Sequence, residues 1–294
     1  MVVGLGEVLW DLLPSGRQLG GAPTNFAYIS TLLGDRGKIA SCIGSDNLGS
    51  VAIRRLTALG VDPSYLQRDA SHPTGTVRVQ VNRRGQPRFT IREHVAWDFL
   101  CWTGKWKQLA RKADAVCFGT LAQRSRHSRK TIAQFLQSTR AIRVFDVNLR
   151  QGFFSEDVLH QSIAMATIVK MNDDELPVVL KLLGRESRNG ELAAQQLLAF
   201  GPKLICVTRG HQGSLLFTRR ALAEHPGFRV RVKDTIGAGD AFTAALVHAY
   251  LRGASLETMN DAANRMGSWL ASQAGGTPVI GKKELRRRLA ELKV

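Results

Sequence analysis

Acid is scarce in this 294-residue sequence. Against 41 lysines and arginines stand 24 aspartates and glutamates, a formal charge of +17 and a pI near 10.5. Such a surplus fits a binder of polyanions. The basic residues are nevertheless dispersed, as in Arg54-Arg55, Arg83-Arg84, Arg124 to Lys130 and Lys282 to Arg288. The last cluster alternates with Leu285, Leu289 and Leu292 at helical spacing. They read as solvated faces ahead of a nucleic-acid site. Cysteine is also sparse: Cys42, Cys101, Cys117 and Cys206 form no Cys-x-x-Cys pair, which excludes the usual zinc and dithiol signals. They read as small buried hydrophobes in a reducing cytosol.

No run of about 18 uncharged apolar residues occurs, so no membrane span is expected. The start, Met1-Val-Val-Gly-Leu-Gly-Glu7, reaches an acid too early for a signal peptide, and a cytoplasmic protein is expected. Low-complexity tracts, Pro/Ser-rich linkers and internal repeats are missing, which leaves one folded unit over 1–294. Common catalytic templates are missing too. There is no Gly-x4-Gly-Lys-Ser/Thr, His-Glu-x-x-His or Gly-x-Ser-x-Gly, and Gly4-Leu5-Gly6 has Leu9 where a dinucleotide fingerprint needs its third glycine.

What is present alternates. Apolar, β-branched runs at Val2 to Val8, Ile39 to Ile43, Ala115 to Phe118, Ile142 to Val147, Thr167 to Met171 and Leu204 to Thr208 read as buried parallel strands. Helical patterns lie between them at Thr24 to Leu33, Leu48 to Leu59, Ser128 to Gln137, Leu192 to Phe200 and Ala241 to Leu251. The expected fold is a doubly wound, mainly parallel α/β sheet. One stretch breaks the rhythm: Thr76 to Val81, a turn over Asn82 to Pro87, and Arg88 to Arg92 alternate as a β-hairpin with Val77, Val79, Val81, Phe89 and Ile91 on its apolar face. It is either a lid over a cleft or an edge hairpin packed permanently on the main sheet.

Chemistry concentrates in Asp234-Thr-Ile-Gly-Ala-Gly-Asp240, a glycine-rich turn running into a helix. Unpaired amides and the positive helix end can hold a phosphoryl group there, and Gly237 and Gly239 let it approach. Asp240 then serves either as a helix cap or as a base, and the dipole is expected to favour its ionised form.

Together with Leu19-Gly-Gly-Ala-Pro-Thr-Asn-Phe-Ala27, this run resembles the two signatures of the ribokinase-like, PfkB-type carbohydrate kinases. Gly6 to Asp11, Val95 to Asp98, Gly119 to Arg124, Asp146 to Gln151 and Asn172 to Leu176 are similar to bacterial fructokinases in particular. The resemblance implies a ribokinase-like sheet whose small β lid comes mainly from about 74–93, with a contribution from about 11–19. It implies an ATP-dependent kinase with Asp240 as general base and a Gly237-Ala238-Gly239 anion hole. Asp11, Gly20, Gly21 and Asn25 would bind the sugar, joined by Arg92 or Glu93 and by Arg150. Asn172, Thr208, Gly210, Gly213 and Asn264 would surround the nucleotide, with Glu175 near Mg2+ through water. Asp234 and Ile236, with the loop from Ser272 to Gly276, match a K+ site. D-fructose is the expected substrate, 2-keto-3-deoxygluconate the alternative, and a homodimer through the lid the expected assembly. The charge alone supports a different class, a non-catalytic nucleic-acid-binding or regulatory protein on the same fold. Gly44-Ser-Asp-Asn-Leu-Gly49 departs from the more acidic run of the family.

Overall fold

The computed structural model describes residues 1–13, 16–81, 87–187 and 189–292. The main sheet holds β1 (Val2–Leu5), β4 (Gly37–Gly44), β5 (Leu66–Asp69), β8 (Ala115–Phe118), β9 (Ile142–Asp146) and β10 (Ile168–Asn172). It continues through β11 (Leu204–Thr208), β12 (Ser214–Phe217) and β13 (Leu222–His225). Its order is β13-β12-β11-β10-β9-β8-β1-β4-β5, parallel except where β12 and β13 turn back. A second sheet, ordered β3-β2-β6-β7, is built from β2 (Leu9–Leu13), β3 (Gly16–Gly20), β6 (Gly75–Val81) and β7 (Pro87–Ile91).

Successive residues of a strand point to opposite faces, so a strand buried on both sides reads as a continuous apolar run. In β8, Ala115 and Cys117 serve one core and Val116 and Phe118 the other. One face is covered by α1 (Ala22–Leu32), α2 (Asn47–Ala58), α8 (Ala238–Leu251), α9 (Leu256–Ala271) and α10 (Lys282–Glu291). The opposite face carries α3 (Gly104–Lys112), α4 (Arg126–Ser138), α5 (Glu156–Met165), α6 (Glu175–Leu182) and α7 (Gly190–Leu198). Strand succession reverses beside β1, and in such sheets the crevice outside the carboxyl ends there takes the ligand.

The expected strand Val2 to Val8 stops at Leu5, because Gly6 turns the chain at φ 147° against Pro23 and Ala122. Cys101 is exposed, contrary to expectation, while Cys42, Cys117 and Cys206 are buried. The expected turn at 82–86 lies outside the described residues, as do the side chains of Val79, Val81 and Phe89. Val77 and Ile91 are buried in the core shared with Leu9 and Trp97.

The second sheet is tied to the first at both ends of its hairpin. Asp46 caps α2 by accepting from the Gly49 amide at 2.7 Å, and it also accepts from the Thr74 amide at 2.8 Å and hydroxyl at 2.7 Å. Past β7, the Arg124 guanidinium forks onto Asp98 at 2.8 Å, donates to the Arg92 carbonyl at 2.6 Å and stacks on Trp97.

Candidate active site

The turn before α8 is shaped by its own polar groups. Asp234 accepts from the Ile236 amide and from the Gly275 amide, each at 3.0 Å, so the turn is pinned to the loop after α9. This brings Asp234, Ile236 and the 272–276 loop together. Gly237 adopts φ 78° and lies so close that a Cβ there would stand 2.8 Å from the Gly276 Cα, a double reason for glycine. Gly237, rather than Asp240, is the N-cap, and Ala238, Gly239 and Asp240 form the first helical turn. Among the described residues, the amides of Gly239 and Asp240 meet no backbone acceptor. Beside them stands the Lys170 ammonium, 2.8 Å from where a Cβ on Gly239 would be.

Asp240 Oδ2 accepts from Asn25 Nδ2 at 2.8 Å, which joins α8 to α1 across 215 residues. Asn25 Oδ1 is buried and finds no donor among the described residues. The Asp240 pKa is raised to about 6, because burial and the Asp146 carboxylate push it up more than Asn25, Lys170 and Arg150 pull it back. Desolvation thus outweighs the helix dipole, although at neutral pH the carboxyl stays mostly ionised, as expected.

Sequence reasoning missed the layer beneath. Lys170 donates to both oxygens of Asp146 at 3.1 and 3.2 Å, and the Thr243 hydroxyl donates to Asp146 at 2.9 Å. Burial opposes the Lys170 charge, but Asp146, Glu175 and Asp240 outweigh it and raise its pKa. The available signal was a lysine inside the apolar run Ile168-Val-Lys-Met171. Glu7 was missed as well. It accepts from the Ala22 amide at 3.2 Å, and burial, reinforced by Asp240, raises its pKa to about 7.

Asp11 lies on β2 opposite β3, where a Cβ on Gly20 would collide with its Oδ2 at 2.4 Å. Its pKa is raised to about 6 by burial, lowered by Arg150 and raised by Asp234, so these charges share one cleft. Gly21, at φ 104°, packs on the Glu7 carbonyl. Arg150 is exposed on a loop where Asn148 and Gln151 take positive φ, and its charge also reaches Glu7 and Asp240. Arg92 and Glu93 are exposed just past β7.

Asn172 and Glu175 face each other. Asn172 Oδ1 accepts from the Glu175 amide at 2.7 Å, and Glu175 accepts from the amides of Asn172 at 2.9 Å and Leu149 at 2.8 Å. With both Glu175 oxygens on amides, Mg2+ fits here through water rather than as a direct ligand. Thr208 ends β11 beside Met171, and Gly210 follows in an open loop. Gly213 is required by packing, since a Cβ would lie 1.9 Å from the His225 carbonyl. Asn264 is turned inward: its amide donates to Ser214, at 2.8 Å, and to Asn260, fastening α9 to β12. Among the described residues no cluster of three or more His, Cys, Asp or Glu is placed to hold a metal, and no helix is long and apolar enough to cross a membrane.

The model of the pfkB family carbohydrate kinases matches residues 16–282. The chain belongs to that family. It is 30% identical to the fructokinase of Escherichia coli over 261 residues, 83% of this chain and 82% of that one. An uncharacterized sugar kinase from Pyrococcus horikoshii, solved in complex with ATP, superposes with a TM-score of 0.83 at 26% identity, over 99% of this chain and 100% of that one. The aminoimidazole riboside kinase of Salmonella enterica, solved with aminoimidazole riboside and an ATP analog, gives 0.81 at 25% over 98% and 99%. These likenesses make the chain an ATP-dependent carbohydrate kinase with a ribokinase-like fold.

Proposed function

We propose that the enzyme transfers the γ-phosphoryl group of ATP to D-fructose, giving fructose 6-phosphate, with Asp240 as the base. The observation that carries this reading is Asp240 itself: one oxygen is fixed by Asn25 and the carboxylate stands beside free helix amides and the Lys170 ammonium. The accepting hydroxyl donates its proton to the free Oδ1 as its oxygen bonds to phosphorus and the bond to the β-phosphate oxygen breaks. A pKa of about 6 leaves Asp240 mostly ionised at neutral pH, yet more basic than an exposed aspartate. The amides of Gly239 and Asp240 and the Lys170 ammonium neutralise charge on the moving group, which a loose transition state needs more than early proton removal.

Asp11 and Asn25 accept and donate to the sugar hydroxyls, and Gly20 and Gly21 keep the backbone close. When bound, Mg2+ supplies further neutralisation of the phosphates, held through water by Glu175. Asp234 and the carbonyls near Ile236 and the 272–276 loop suit K+. The fructokinase relatives support fructose. Arg150, whose charge reaches Asp11 and Asp240, favours a second reading in which an acid sugar such as 2-keto-3-deoxygluconate pairs with it. A coupled ADP-release assay over a sugar panel decides: fructose should lead, and turnover confined to the acid sugar overturns the substrate while leaving Asp240 in place.

A further inference from the structure

Between Phe99 and Phe145 the chain carries ten lysines and arginines against one carboxylate, Asp114, about half of the whole surplus of +17. Asp114 is itself engaged by the N-terminal ammonium, and Arg124 is turned inward onto Asp98. Neither α3 nor α4 contains an acid. Trp106 of α3 meets Phe135 of α4 edge-on at 6.2 Å, so the two helices lie side by side and their cations form one face. Lys107, Arg111, Lys112, Arg126, Lys130 and Arg140 are exposed there, and none has a carboxylate partner among the described residues. Some helix cations elsewhere are paired locally, as Arg265 with Asp261 and Arg287 and Arg288 with Glu284. On α3 and α4, Lys107 and Arg111, and Arg126 and Lys130, stand without a carboxylate partner one turn apart, where like charges repel.

We propose that this face docks the phosphate backbone of nucleic acid, as a binding function separate from the catalytic cleft. A membrane-surface helix or a protein interface needs apolar residues, and none of the exposed large hydrophobics lies on α3 or α4. A phosphodiester chain needs only cations at turn spacing without acids between them. At 1.5 Å per residue α4 runs about 20 Å, the rise of about six nucleotides of one strand. The face belongs to the helix layer opposite α1 and α8, which carry Asn25 and Asp240.

The test is fluorescence anisotropy of a labelled 24-base-pair DNA duplex of arbitrary sequence, titrated with the full-length protein at 50 and 200 mM KCl. With about five phosphate contacts, affinity should drop roughly five-hundredfold across that range. The quadruple variant Lys107→Glu, Arg111→Glu, Arg126→Glu, Lys130→Glu should lose at least tenfold in affinity at 50 mM KCl while keeping its melting temperature and sugar-kinase turnover. A matched control, Arg54→Glu, Arg55→Glu, Lys283→Glu, Arg286→Glu, makes the same change in net charge elsewhere and should lose much less. Equal losses in both variants would make binding a property of net charge and overturn the proposal. So would absence of duplex binding, or binding only to vesicles of 30% phosphatidylserine.

Discussion

Asp240 and Glu175 both sit in the first turn of a helix, α8 and α6, yet they do opposite things. Backbone amides reach both oxygens of Glu175, which closes the loop from Leu149 over the start of α6. Asp240 receives a single side-chain donor, Asn25, and is left beside a second carboxylate, Asp146. A carboxylate at a helix start therefore stabilises the fold where amides converge on it and is held at a cost where they do not. That cost leaves Asp240 more basic than an exposed aspartate, which is what the role proposed for it requires.

The sharpest way to break this contrast is Asp240→Asn. Turnover should fall about 10³- to 10⁴-fold, the scale of a lost general base, with ATP affinity little changed. Near-normal turnover would end the assignment. The same variant should melt a few degrees higher at pH 7.5, because removing a buried carboxylate of raised pKa relieves on the order of 2 kcal/mol. Glu175→Ala should do the reverse. It orphans two partly buried amides, and thermal unfolding should register a loss of about 1–3 kcal/mol; unchanged stability would dissolve the comparison.

A pH series adds the sign. Asp240 and Glu7 titrate near 6 and 7 when folded, above their ordinary 3.8 and 4.5, so between about pH 7 and 4 the folded state binds more protons than the unfolded chain. Their contribution to stability therefore grows as pH falls through that window, while kcat/KM drops below about pH 6. In Asp240→Asn the stability gain on acidification should shrink. The smallest effect is the finest probe: Lys170→Met should move the acid limb of the rate profile upward and Asp146→Asn should move it downward. Shifts in a common direction would exclude electrostatic control of Asp240 by this pair.

Much of the fold was legible because a doubly buried strand writes itself as an apolar run. Ala115–Phe118 and Leu204–Thr208 match their runs end to end. The β2 and β3 pair was less visible, since burial along these short strands does not alternate: Leu9, Trp10, Leu19 and Gly20 are buried and the rest only partly or not at all. At the site, Asp11, Asn25 and Asp240 stood out through motif resemblance. Asp146, Lys170 and Thr243 did not, because their bonds join residues up to 97 positions apart and no local pattern encodes such a meeting. The upward shift of the Asp240 pKa was not legible for a related reason: the dipole is local and readable, whereas burial depends on the whole fold.

The Asp46 carboxylate, shared between the start of α2 and Thr74, fastens one end of the small sheet's hairpin to the main sheet. Thr74 is anchored from two sides, by Asp46 and by the Gly44 amide, which donates to its hydroxyl at 3.0 Å. Just beyond it, Gly75 lies flat on Trp97, where any Cβ would strike the indole nitrogen at 2.2 Å. The other end of the hairpin is held as well, by the Arg124 guanidinium on the Arg92 carbonyl, so the small sheet is pinned to the main body at both ends of the hairpin.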